Sequence, residues 1–268
     1  MTSATRRSVR SRLTLEVVAE TAFMLAISTA RGVPLERERL AVRLDGAPVA
    51  TRELAEIHGT RQQLFETGAG MLEIEYEAEV VGRAAPLPVE AVDEVTYLRP
   101  SRYVQSDTLQ PFARETFPGL EGAALVAAVG AWVHDRLSYV PAASTPTGGA
   151  VETLEAGAGV CRDYAHLTAA LLRALDVPAR LVSVYAPELQ PPDFHAVVEA
   201  VVDGRWVVVD ATRLAPRSGL VRMATGRDAA DTAFLTNTLA DIDFRTLSVQ
   251  ASADVPLEDD PDELVELG

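Results

Sequence analysis

The chain has 268 residues, 48% of them hydrophobic, 24% charged and 6% aromatic, which admits one large or two ordinary domains and excludes a disordered chain. Its 39 acidic residues outweigh 24 basic ones, for a formal net charge of −15. That argues against nucleic acid and against an anionic membrane as partners, since both need a basic face. Every basic residue is arginine and the only cysteine is Cys161, so a disulfide-stapled secreted scaffold is excluded.

No apolar run is long enough to span a bilayer. Glu16 and Glu20 interrupt the stretch after the N-terminal arginines, so no signal peptide is read and a cytoplasmic location is expected. Residues 1–11, polar and arginine-rich, read as a flexible leader. Leu13, Leu15 and Val17 alternate with Thr14 and Glu16 as in a strand. Arg39 to Leu44 reads as a second, ending at the hairpin dipeptide Asp45-Gly46. The clearest alternation runs from Met71 to Val81. There Leu72, Ile74, Tyr76, Ala78 and Val80 share one face, and Glu73, Glu75, Glu77 and Glu79 the other. Residues 12–82 are therefore expected to form an antiparallel β-sandwich-like domain, with helix-like content around Thr51–Ile57.

Residues 83–100 hold Pro86, Pro88 and Pro100 and read as a linker running over the surface. A core over residues 101–240 then opens with helical spacing at Ser106–Phe117 and Glu121–Leu137, the latter striped by Leu125, Val129, Trp132 and Val133. Tyr139–Gly149 is a loop. Cys161–Leu175 is a third helix, stopped at Asp176-Val177-Pro178. Strands follow at Arg180–Tyr185, His195–Val202 and Arg205–Ala211. Residues 241–268 read as an acidic C-terminal tail; positions 254–268 hold seven acidic residues and no basic one, the mark of a solvated, mobile end. The fold class is α+β: a sandwich-like domain, then a core of helices plus an antiparallel sheet.

The chemistry centres on Cys161. It follows Gly157-Ala158-Gly159-Val160 and opens a helix. A thiolate there faces unpaired backbone N–H groups and the positive end of the helix dipole, which favours it as a nucleophile. Taken alone, a single cysteine also fits a small buried hydrophobe. His195 starts a strand closed by Asp203-Gly204, and the returning strand ends at Asp210. A two-residue hairpin sets Asp210 opposite Val197 and on the face that His195 shares, within reach of a diagonal hydrogen bond. A slip of one residue would separate them. Singly, His195 reads as a sheet histidine and Asp210 as a strand-end cap. Together, an aspartate fixing the imidazole tautomer and a free ring nitrogen that takes the thiol proton are what thiol catalysis requires.

At these residues the chain resembles the transglutaminase-like superfamily, in its bacterial branch, whose core is related to papain-like thiol proteases. The matching segments are Gly159–His166, Pro178-Ala179-Arg180, Phe194–Glu199 and Trp206–Thr212, with Leu98–Tyr103 and Gly226–Asp231 also similar. The resemblance implies a papain-like core behind an N-terminal β-domain. It implies a triad of Cys161 as nucleophile, His195 as general base then acid, and Asp210 as orienter. It further implies an oxyanion hole made of the Cys161 N–H and an upstream donor, for which Tyr139 is a candidate. Ala196 and Ala211 stand where many members carry a larger residue and a proline.

The expected activity is cysteine-dependent acyl transfer on a peptide or protein substrate, with amide hydrolysis favoured. The alternatives are an amine-accepting transglutaminase and a non-catalytic scaffold that binds a peptide or partner. No cofactor is expected. Zinc on Cys161, His195 and Asp210 lacks the close-spaced ligand pair such sites show, and phosphate-loop and G-x-S-x-G patterns are absent. His166 lies about 140° round the helix from Cys161 and reads as packed or solvated. His134 reads as compensating a helix dipole.

Overall fold

The computed structural model describes residues 5–261 and 263–268. Alternating apolar and charged side chains make the first part mostly strand, with one 3-10 turn at Ile57–Gly59: β1 (Arg6–Val17), β2 (Thr21–Leu25), β3 (Leu35–Leu44), β4 (Ala47–Pro48), β5 (Arg52–Ala55), β6 (Arg61–Thr67) and β7 (Gly70–Val81). In β7 the residues Leu72, Ile74, Tyr76, Ala78 and Val80 are all buried. Glu75 and Glu77, on the other face, pair with Arg12 and Arg10 of β1.

The middle of the chain is helical: α1 (Ala91–Thr96), α2 (Ser106–Thr116), α3 (Gly122–Arg136), then β8 (Ser138–Tyr139), α4 (Ala150–Ala156), β9 (Ala158–Gly159) and α5 (Cys161–Ala174). After these come β10 (Ala179–Tyr185), β11 (Phe194–Val202), β12 (Arg205–Val209), β13 (Val221–Gly226), α6 (Ala229–Thr232), β14 (Leu235–Thr238) and β15 (Ile242–Ala253).

Two antiparallel sheets, ordered β15-β1-β7-β3-β4 and β14-β2-β6-β5, share one apolar core that includes Leu13, Ile74, Phe23 and Phe65. The third sheet, β12-β11-β10-β13, is also antiparallel. Its Ala179, Leu181, Val198 and Val207 pack with α2, α3 and α5 in a second core. Tyr185 joins the two units: its ring lies in the sandwich core and its hydroxyl donates to the Ile27 carbonyl at 2.9 Å. Among the described residues no helix is long and apolar enough to cross a membrane.

Four sequence expectations change. Arg6 to Ser11 belong to β1, not to a leader; residues 1–4 lie outside the described residues. Thr51–Ile57 is mostly the strand β5, because pairing with β6 outweighs local helix preference. The 83–100 segment carries α1 and buries Tyr97 to 1% exposure, so it is part of the packing. The 241–268 segment is not a free tail. β15 pairs with β1 along its length, and beyond it the Val208 N–H donates to the Val265 carbonyl at 2.7 Å. Asp259 meets Arg217, and Leu267 is buried. Of the acidic residues that suggested a solvated end, Asp259 pairs with Arg217 and Glu266 with Arg205; Asp262 lies outside the described residues.

One buried ionic cluster ties these parts together. Glu199 of β11 accepts from Arg180 of β10 at 2.7 Å and from Arg222 of β13 at 2.5 and 3.0 Å. Arg180 lies 3.8 Å from the Trp206 ring centroid. It also meets Nδ1 of His58, whose Nε2 is 3.1 Å from Asp93 of α1. Burial alone would raise the Glu199 pKa; Arg222 and Arg180 outweigh it and hold the carboxylate below its ordinary range. Removing that anion leaves two buried guanidiniums without their carboxylate partner. Glu199→Gln should therefore cost on the order of 3–5 kcal/mol, read as a lower urea midpoint with an unchanged slope; a loss under about 1 kcal/mol would mean that water takes over the role of the anion.

Candidate active site

The start of α5 is built to hold Cys161 still. Val160 is extended, and the Asp163 carboxylate accepts its N–H at 2.9 Å across the first turn. Only glycine fits at 159: a Cβ there would lie 2.6 Å from the Asp163 Cβ. β8 runs parallel to β9, with the Val140 N–H donating to the Gly159 carbonyl at 2.9 Å. Arg162 reaches the carbonyls of Thr145 and Pro146 and so fastens the loop above the helix. The Cys161 side chain is half-buried, at a helix end whose free N–H groups favour negative charge.

The Asp203-Gly204 turn places the other two groups. Both residues have positive φ, 49° and 71°, as the right-twisted two-residue hairpin demands. Val202 then faces Arg205, and Val198 faces Val209, the register expected from the sequence. His195 Nε2 and Asp210 Oδ2 are 2.8 Å apart, with His195 2% and Asp210 9% exposed. The second Asp210 oxygen accepts the Thr212 N–H at 2.9 Å and its hydroxyl at 2.7 Å. His134 Nδ1–H donates to the Ala211 carbonyl at 3.0 Å and steadies the same bend. His195 Nδ1 is buried without a hydrogen-bond partner, and Cys161 is close enough to act on the ring electrostatically.

Two opposing forces set the charge of this imidazole. Burial alone would drive its pKa down; the Asp210 carboxylate, with a smaller contribution from Cys161, overcomes that and pushes it up to about 10. Burial would likewise raise Asp210, but His195 and Thr212 hold it below the usual carboxylate range. Tyr139 of β8 lies beside both the amide and the sulfur of Cys161, and its ring centroid is 6.0 Å from that of Tyr164. Burial of its hydroxyl and the adjacent Cys161 raise the phenol pKa, so it stays protonated.

Other sequence expectations resolve as follows. His166 is fully buried and stacked on Tyr103 at 5.2 Å. The segment Gly226–Asp231, for which the sequence offered a resemblance and no role, is a structural clasp. Asp228 caps α6 and accepts the Tyr103 N–H at 3.0 Å, while the Ala229 N–H donates to His166 Nε2 at 3.1 Å. Sequence reasoning missed Asp163, Thr212 and Asp193. Asp163 was legible as the third residue of a helix whose cap lacks a side-chain acceptor; the other two carry no signal apart from the fold. Among the described residues, no three His, Cys, Asp or Glu side chains converge as a metal site.

Residues 112–211 match the family model of the transglutaminase-like superfamily. Over 123 residues the chain is 31% identical to an uncharacterised protein of Mycobacterium leprae (strain TN), covering 44% of this chain and 42% of that one. The match thus spans about two fifths of that relative's length. The crystal structure of a candidate cysteine protease from Cytophaga hutchinsonii is 32% identical, with 98% of this chain and 96% of that chain covered and a TM-score of 0.89.

The four imidazoles make the electrostatics measurable. An NMR titration should find His195 charged through neutral pH and losing its proton only near pH 10. Burial pushes His166 down to about 3, so it should stay neutral. Asp210→Asn removes the larger of the two influences that oppose burial at His195, leaving Cys161 alone against it, and should bring its titration well below pH 10. An unmoved midpoint would show that Asp210 does not set that charge.

Proposed function

Because the chain belongs to the transglutaminase-like superfamily, we propose that it is a cysteine-dependent acyl-transfer enzyme acting on peptide or amide substrates, with hydrolysis as its main outcome. The observation that carries this reading is the buried His195–Asp210 pair, which leaves ring nitrogen Nδ1 unpartnered beside a cysteine at a helix N-terminus.

The chemistry follows from the charges. The imidazolium next to the sulfur favours the thiolate, and Asp210 keeps the ring oriented by occupying Nε2. The Cys161 sulfur attacks the amide carbonyl, and the carbonyl π pair moves onto oxygen. That oxyanion has two donors within reach, the Cys161 N–H and the Tyr139 hydroxyl. The C–N bond then breaks as His195 gives its proton to the leaving nitrogen, and a thioester remains on Cys161. Water attacks the thioester while His195 takes one of its protons. The C–S bond breaks and frees the carboxylic acid and the thiolate. An amine in place of water would give a new amide instead.

Support for two donors comes from the position of Tyr139, whose protonated phenol can give a hydrogen bond where charge develops. Two kinds of reaction separate the roles. Alkylation of Cys161 by iodoacetamide forms no oxyanion, whereas acylation by a p-nitrophenyl ester does. Tyr139→Phe should slow acylation about 10²-fold or more and leave alkylation nearly unchanged. His195→Ala should slow both, and Cys161→Ala should abolish both. A Cys161 that reacts no faster than a free thiol, and is indifferent to His195→Ala, would leave the binding scaffold as the surviving reading. Product analysis with a glutamine peptide, with and without an added primary amine, distinguishes hydrolysis from transfer.

A further inference from the structure

The loop entering β11 carries one charge that the proposed chemistry does not use. Asp193 immediately precedes β11 and stands two residues before His195. Its Oδ1 accepts the Phe194 N–H at 2.7 Å, which pins the carboxylate near the strand end. His195 is buried below it, and Asp193 itself is exposed.

The charge of Asp193 acts on both His195 and the Tyr139 hydroxyl, which flank Cys161. Among the described residues no arginine or histidine lies within ion-pair distance of it. The arginine adjacent to the nucleophile, Arg162, is taken up by Asp163 and by the loop carbonyls of Thr145 and Pro146. Positive charge at the site therefore comes from His195, which Asp210 already offsets. The rim is left with an unpaired carboxylate.

We propose that Asp193 gives the mouth of the site a negative field, so that its preferred substrates carry a cationic group, such as a lysine or arginine side chain or a primary ammonium, close to the carbonyl under attack. This rests on the reading of Cys161 as the nucleophile. A single fixed charge near the reacting atoms, partly screened by solvent, is enough to bias encounter and reaction several-fold.

The single cysteine makes a direct test possible, since no other thiol competes. Three methanethiosulfonates differ mainly in charge: the trimethylammonium-ethyl, the methyl and the sulfonatoethyl reagents. Each forms a mixed disulfide with the Cys161 sulfur and releases methanesulfinate. Their second-order rate constants are measured on the full chain at low and high salt. Asp193→Asn should lower the cation-to-anion rate ratio roughly five- to tenfold at low salt, with the neutral reagent changed less than twofold. Asp193→Lys should lower it further, and high salt should shrink both effects. A ratio unmoved by either substitution overturns the role of Asp193 and leaves the nucleophile standing. A Cys161 inert to all three reagents overturns the nucleophile, and the inference with it.

Discussion

Register in the β11–β12 hairpin is the constraint on which the site depends. Because successive side chains of a strand alternate, His195, Val197 and Glu199 share one face of β11. The Asp203-Gly204 turn, through two residues of positive φ, selects the pairing that brings Asp210 to that face. A slip by one residue on β12 would turn Asp210 away from His195. The opposite edge of β11 is fixed separately: there the pairing with β10 sets Glu199 across from Arg180 and within reach of Arg222 of β13. The reactive pair and the ionic cluster thus hold the two edges of β11 in register, more sharply than its valine-rich sequence alone requires.

Two buried histidines show how the core decides charge locally. His166 and His195 are both almost without solvent, yet one is driven toward neutrality and the other toward permanent protonation. The difference is the partner. His166 accepts a backbone N–H, a bond only the neutral ring can make, and Arg162 adds to the opposition. His195 faces an aspartate whose remaining oxygen is already held by Thr212. Desolvation therefore amplifies whichever neighbour is supplied, and one carboxylate is enough to reverse the outcome.

Much of this was legible in the sequence where the physics is local. The strict alternation from Leu72 to Val80 gave a half-buried strand, and the Asp-Gly turn gave the register of β11 and β12. The glycine-flanked Cys161 at a helix start was equally clear. The illegible parts depend on partners distant in the chain. β15 is exposed along most of its length and has little alternation to betray it; only β1 reveals it as a strand. The acidic residues after it resembled solvated tail because the arginines they meet, such as Arg217, lie about forty positions earlier. Tyr97 and α1 were hidden by the prolines around them, whose effect on the backbone suggested a surface linker. Asp193, although two residues from His195, could not be singled out until the fold brought Tyr139 into its field.

The pairing of β15 with β1 has a consequence for how such a chain is made. A ribosome delivers Arg6–Val17 long before Ile242–Ala253, so β1 waits with one edge open while most of the polypeptide is still being synthesised. During that interval β7 is available to cover the other edge, and the nascent sandwich presents an unpaired row of N–H and C=O groups to whatever is nearby.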